Sequence, residues 1–308
     1  KHVGVMIASC LFIQNAGATL VQSNTISQVA SEAFRLPLAA CALGLAAVMT
    51  FIISGGLKRL VHIAERVVPF MAGFYVAGGL VVLLVNLPEL PGVIGSILEG
   101  AFSLEAGAGA AAGISMREAM RYGVARGLYS NEAGEGSAAV LHASAEVDHP
   151  ARQGVYGILE VFIDTMIICS TTGFAILVTG ADQGASNAST LAAEAFGSVF
   201  PAMKYVIYIS LILFAGTSIM SQWYFGHVSL SYLKKPKLAA AYRIAFPFLV
   251  LIGSMSTIDL VWMIQDCALA FLVLPNAVAL IALAPQVRKM TKEFLDPEQG
   301  FVERKRNG

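Results

Sequence analysis

Charge is what this sequence has least of. Only 13% of its 308 residues are charged, whereas soluble domains carry about 25%. A soluble core of this size does not need so few, so an ordinary globular domain is excluded. The 20 basic and 20 acidic residues cancel, which leaves no electrostatic footprint for a nucleic acid. Cysteine is scarce as well. Cys10, Cys41, Cys169 and Cys267 stand singly in apolar runs, without CxxC or Cys/His spacing. That argues against zinc or redox chemistry and for small buried hydrophobes. No cleavable signal pattern precedes the first apolar run.

What is present is hydrocarbon. Hydrophobic residues make up 56% of the chain, and the mean hydropathy is +0.70. The fold class is therefore all-α, a polytopic membrane protein. A span needs about 20 apolar residues, and eight stretches qualify. They run from Val3 to Ala30, Leu36 to Ser54, Val67 to Leu87, Ser115 to Ala145, Gln153 to Val178, Ala202 to Leu233, Tyr242 to Ser256 and Leu260 to Ala284. Pro69 suits the first turn of the third. Pro88 and Pro91 break the chain after it, and residues 179–201 read as an exposed polar loop. The chain divides into a transmembrane domain, 1–285, and a charged cytoplasmic tail, 286–308. Gly107 to Gly113 superficially looks like a dinucleotide loop, but no strand precedes it and the spacing is wrong.

The basic loops set the orientation. Numbering the sides alternately, Lys58, Arg59, Arg66, His149, Arg152, Lys234, Lys235, Lys237, Arg243 and the tail fall on one side. Glu32 and Arg35, Glu89 and Glu99, Asp182, Glu194 and Lys204, and Asp259 fall on the other, where Asn187 is also expected. The first side, with the C-terminus, is expected to be cytoplasmic. Arg117, Arg121 and Arg126 are exceptions on the outer half of the fourth span.

Polarity is concentrated in the fourth span, at Arg126-Gly-Leu-Tyr-Ser-Asn-Glu-Ala-Gly-Glu-Gly-Ser137. Gly134 and Gly136 each cost a helix about 1 kcal/mol relative to alanine. In hydrocarbon a broken helix survives only where it lines a protein cavity. A polar, glycine-interrupted span points to a transport site; a solvent loop between two spans is the plainer alternative. In the first span, Gln14, Gln22, Thr25 and Gln28 share a face, either as links between helices or as lining of a pathway. Glu160 and Asp164 lie in the fifth span, where acids are costly and functional by default.

Arg126 to Ser137, with His149-Pro-Ala-Arg-Gln-Gly154 and Phe162-Ile-Asp-Thr165, resembles the signature of the alanine or glycine:cation symporter family. Val21-Gln-Ser-Asn24 and Pro275-Asn276 match as well. The resemblance implies a LeuT-type fold of two inverted five-helix repeats. It implies sodium-coupled uptake of a small neutral amino acid, alanine or glycine, across a plasma membrane, the inner membrane of a bacterium. No cofactor is implied beyond Na+ as coupling ion. The partners are the amino acid, sodium and the lipid bilayer, with no nucleic acid. The eight spans match the third to tenth helices of that scheme. The sequence is then expected to be a fragment without the first two helices, unable to bind or transport alone.

The resemblance places substrate contacts at Tyr129, Asn131, Gly134, Gly136 and Ser137, with Gln22, Ser218 and Gln222 facing them. It places a sodium ion at the adjacent hydroxyls Thr217 and Ser218, which otherwise bond to their own helix carbonyls. Asp164 would serve a second cation or a pore-side network. Two departures stand out. Ser221-Gln222 replaces the usual Gly-Trp step, with Trp223 one position later, and Glu135 stands where the family usually has Leu. A cation channel, another permease of the same fold and an intramembrane enzyme are the alternatives. His142, Glu146, Asp148 and His149 read as a cytoplasmic cap rather than a metal cluster, and no nucleophile context supports an enzyme.

Overall fold

The computed structural model describes residues 2–102, 116–183 and 188–296, and their regular structure is helical throughout. The helices are α1 (His2–Phe34), α2 (Leu38–Ser54), α3 (Gly56–Val85), α4 (Leu90–Phe102), α5 (Met116–Asn131) and α6 (Ala138–His142). They continue with α7 (Pro150–Thr179), α8 (Leu191–Val199), α9 (Pro201–Tyr232), α10 (Pro236–Met255) and α11 (Ile258–Leu295). Six of them, α1, α3, α7, α9, α10 and α11, are long and apolar enough to cross a membrane. α2 is a shorter apolar helix of 17 residues. The fourth expected span is the broken pair α5 and α6.

α1 is the axis of the bundle, and it touches α2, α9, α10 and α11. Its sequence explains why. Its buried face carries Asn15, Gly17, Ala18, Thr19, Ser23 and Ser27. Lipid tails are as apolar as leucine, so small residues that let backbones approach are what hold membrane helices together. A Cβ on Gly17 would stand 2.6 Å from Gln265 Oε1 of α11, and one on Gly253 of α10 would stand 2.6 Å from the Leu20 Cα. The hydroxyls of Thr19 and Ser23 donate to carbonyls one turn back, at 2.8 Å each. Asn24 Nδ2 instead crosses to α10, donating to the Gly253 and Ser256 carbonyls at 3.1 and 2.7 Å. It ties the end of α10 to the middle of α1.

Two apolar clusters flank this axis. One joins α1, α2, α9 and α10 through Ile26, Met49, Ile219, Trp223 and Phe246. The other joins α3, α7, α8 and α9 through Tyr75, Val82, Ala175, Phe196 and Ile207.

The structure corrects several boundaries. α3 starts at Gly56, so Pro69 lies in its interior rather than its first turn. Residues 179–201 are not simply an exposed loop. Ala192, Ala193, Ala195 and Phe196 recur at helical spacing and bury one face of α8, while Glu194 pairs with Lys204 of α9 at 3.0 Å. Pro88 does break the chain, in a single 3₁₀ turn at Leu87–Glu89, but α4 follows at once. α11 runs through Pro275 and Pro285 to Leu295, across the boundary that charge suggested at 285. Gly107 to Gly113, Asn187 and the tail beyond 296 lie outside the described residues.

The contact between α1 and α10 has a testable consequence. Gly253→Val in the full-length protein should clash with the Leu20 backbone and cost about 1–3 kcal/mol. This is read as a lower thermal unfolding temperature in detergent. Gly44→Ala, where nothing lies within 4 Å of the added Cβ, should leave that temperature unchanged or higher.

Candidate functional site

The break in the fourth span is built from three residues in the left-handed region of backbone space. α5 ends at Asn131, after which Glu132, Gly134 and Gly136 take φ of 54, 89 and 95°. L side chains rarely adopt such angles, which is why two of the three are glycine. The freed groups find local partners. The Glu132 amide donates to the Leu128 carbonyl at 3.0 Å, and the Ala133 amide to Asn131 Oδ1 at 3.0 Å. Ser137 Oγ donates to Glu132 Oε2 at 2.6 Å.

α11 fixes the break from outside. Asn276 Nδ2 donates to the Gly134 carbonyl at 2.8 Å. A Cβ on Gly136 would lie 2.8 Å from Asn276 Oδ1, so the glycine is needed for space as well as for angle. α7 holds the other side. Ser130 Oγ donates to Asp164 Oδ2 at 2.7 Å, and Asn131 Nδ2 donates to Thr165 Oγ1 at 3.1 Å. Asp164 and Thr165 lie in a π-helical stretch, Phe162–Cys169. Such widened turns are frequent at functional sites.

Two cavities open against the break. One, of about 640 Å³, is lined by Ser130, Asn131, Asp164, Ser218 and Ser221 among others. The other, of about 960 Å³, is lined by Asn131, Glu132, Gly134, Gly136, His142 and Asn276 among others. On the α5 side, Tyr129 accepts from Gln22 Nε2 of α1 at 3.1 Å and meets Trp262 edge-on at 4.9 Å. Arg126 pairs with Asp266 and lies over the Trp262 ring, 3.8 Å from its centroid.

The residues expected from sequence distribute as follows. Tyr129, Asn131, Gly134, Gly136 and Ser137 form the break and the end of α5, and Gln22 reaches it through Tyr129. Asp164 and Ser218 face one cavity. Thr217 does not join them; it lines an apolar cavity with Ile26, Met49 and Ile212. Both Thr217 and Ser218 hydroxyls donate to the Phe214 carbonyl, at 2.9 and 3.1 Å. Adjacent helix positions point about 100° apart, which is why the two hydroxyls separate. Gln222 is buried, and its Oε1 has no hydrogen-bond partner among the described residues.

Sequence reasoning did not assign Ser130, Ser221 or Asn276 to the site, and named Thr165 only as the neighbour of Asp164. Ser130 and Asp164 are 34 residues apart, and only packing brings them together. The Pro275-Asn276 pair was visible as a motif, but its bond to Gly134 was not.

No group of three or more His, Cys, Asp or Glu that could hold a metal is present among the described residues. His142 lies between Glu160 Oε2 at 3.1 Å and Gln153 Nε2 at 2.7 Å. His149 caps α7, accepting from the Ala151 amide at 3.2 Å. The Arg152 guanidinium beside Asp148 holds that carboxyl below the usual carboxylate range.

Apolar helices packed on α1, with a polar, glycine-broken span beside them, define a multi-pass helical membrane protein. Residues 1–306 match the sodium:alanine symporter family, and the chain belongs to that family. It is 34% identical over 306 residues to the uncharacterized transporter YflA of Bacillus subtilis, covering 98% of this chain and 65% of that protein. It is 33% identical to the sodium/alanine symporter AgcS of Methanococcus maripaludis, covering 89% and 61%. It is also 33% identical to the probable sodium/glutamine symporter GlnT of Bacillus subtilis, covering 89% and 57%. The chain thus spans about three-fifths of the length of these relatives.

Asn276→Ala should leave the Gly134 carbonyl without its partner. The bond is part-buried and is worth about 0.5–1.5 kcal/mol net, so the unfolding temperature of the full-length protein should fall modestly. Gly136→Ala should lower it too, through the clash with Asn276.

Proposed function

We propose that this chain forms most of a sodium-coupled carrier for a small neutral amino acid, with the inverted-repeat helix arrangement of the LeuT type. The observation that carries the reading is one polar cavity that gathers Ser130, Asn131, Asp164 and Ser218 beside the Gly134–Gly136 break. A hard cation wants oxygen ligands. Asp164 Oδ, the Ser130 and Ser218 hydroxyls and the Asn131 carbonyl oxygen would supply them. The substrate carboxylate would sit against the exposed ends of the broken helix, where free N–H groups and the half-helix dipole attract an anion. Tyr129 and Gln22 would close the pocket from the α1 side. Thr217 is the weakest member of the sodium set, because it faces away from Asp164. The relatives are named for alanine, glutamine or amino acids in general, which supports a small neutral amino acid without choosing one. The C-terminus would be cytoplasmic, as the basic loops suggest.

Reconstituted into proteoliposomes, the full-length carrier should accumulate alanine or glycine only when an inward sodium gradient is imposed. Uptake driven equally by potassium would reject sodium coupling. Asp164→Asn should raise the sodium needed for half-maximal uptake about tenfold or more, since about 1.4 kcal/mol of lost ion binding is a factor of ten. Unchanged sodium dependence would remove Asp164 from the cation site. In intact cells an impermeant thiol reagent should label a cysteine at Asp182 but not at Lys235 or Lys289; the reverse pattern would overturn the orientation.

A further inference from the structure

One carboxylate beside the break has no role in this scheme. Glu135 is 0% exposed, and neither of its carboxyl oxygens has a hydrogen-bond partner among the described residues. The titratable groups acting on it are Glu132, in the same break, and Tyr129 of α5. Glu132 takes the Ser137 hydroxyl for itself, and as a second acid it offers Glu135 no positive charge. Arg126 also acts on Tyr129, but it is paired with Asp266 and stacked on Trp262. α1 brings the neutral amide Gln22 to Tyr129, and α11 brings Asn276 to the adjoining glycines. Among the described residues, no cation is therefore placed to neutralise Glu135.

An unpaired ionised carboxylate in such a place costs several kcal/mol, and the group takes up a proton instead. The two oxygens have essentially no accessible surface. Among the described residues no other group reaches them, and a metal ion, which needs several oxygens around it, has no room there. Of the residues on either side of Glu135, Gly134 faces open space and Gly136 packs against Asn276. Gly134 and Gly136 line the 960 Å³ cavity, and both are in the left-handed region, from which glycine alone moves freely.

We propose that Glu135 is a proton-binding site of the carrier. It holds a proton in this closed arrangement. When the two glycines turn it toward the cavity, its O–H bond breaks, the proton passes to cavity water and the carboxylate is left hydrated. It takes a proton from water again before the break recloses. A proton thus accompanies the conformational cycle at a position where sodium has no place. This inference rests on the carrier reading above.

The test uses the full-length protein with its natural sequence and Glu135→Gln, which copies the shape of the protonated acid but cannot ionise. Infrared difference spectra between the two at neutral pH should show the carbonyl stretch of a protonated carboxylic acid. In proteoliposomes loaded with a pH-sensitive dye, substrate addition should move protons with the native protein. Glu135→Gln should lose that signal and the pH dependence of uptake, yet still exchange labelled amino acid across the membrane. A missing carboxylic-acid band, or an unaltered pH profile in Glu135→Gln, overturns the proposal. So does a loss of substrate affinity at every pH, which would mean that Glu135 pairs with the substrate amine. If the native protein moves no amino acid, the carrier reading fails, and the infrared band alone then decides whether Glu135 holds a proton.

Discussion

In hydrocarbon a backbone amide or carbonyl without a partner costs several kcal/mol, and the span that breaks at Asn131 must meet that requirement without a continuous helix. Each neighbouring element can be read as an answer to it. The Asn131 and Glu132 side chains take up the Ala133 amide and the Ser137 hydroxyl. Asn276 takes the Gly134 carbonyl from α11. Asp164 and Thr165 take Ser130 and the Asn131 amide from α7. A polar pocket follows because the partners that satisfy the break are themselves polar and must converge on it.

The same physics explains α1. Its polar residues look excessive for a lipid-facing helix, yet the structure buries most of them against four other helices. Thr19 and Ser23 spend their hydroxyls on their own helix carbonyls and so present a smooth, small surface. Asn24 and Gln22 reach outward instead, one to α10 and one to Tyr129. A rigid axis of this kind lets the strained break be held in place by a few side chains.

The class and the position of the break could be read from the sequence, because hydropathy and paired glycines are local signals, but only six of the eight expected stretches are long apolar helices. The eight stretches correspond to six long helices, the short α2 and the broken α5 and α6. What could not be read were features decided by tertiary contact. Pro69 is tolerated inside α3, where local rules place proline in a first turn. The polarity of residues 179–201 hid the apolar face of α8, because that face is only four residues, Ala192, Ala193, Ala195 and Phe196. At the site, adjacency in sequence misled. Thr217 and Ser218 stand side by side in the chain but on different faces of α9. Ser130 and Asp164 lie far apart in the chain and bond at 2.7 Å.

The distribution of restraints around the break also says where movement is cheapest. α1 meets α10 and α11 along close contacts that tolerate no added carbon at Gly253 or Gly17. The break is joined to α7 and α11 chiefly by side-chain hydrogen bonds, from Ser130, Asn131 and Asn276. A neutral hydrogen bond contributes only about 0.5–1.5 kcal/mol net, and each of these can pass to water when a cavity opens. The first half of α7 buries no residue among those described. Shifting the first half of α7 and the break against the α1 axis therefore exchanges a few polar contacts for hydrated ones, while Ala175 and Val178 in the second half stay in their apolar cluster. A cation that bridges Asp164 on α7 and Ser218 on α9 would oppose that shift directly. Cation occupancy and the position of the break would then be two readings of one equilibrium, which is what coupling requires.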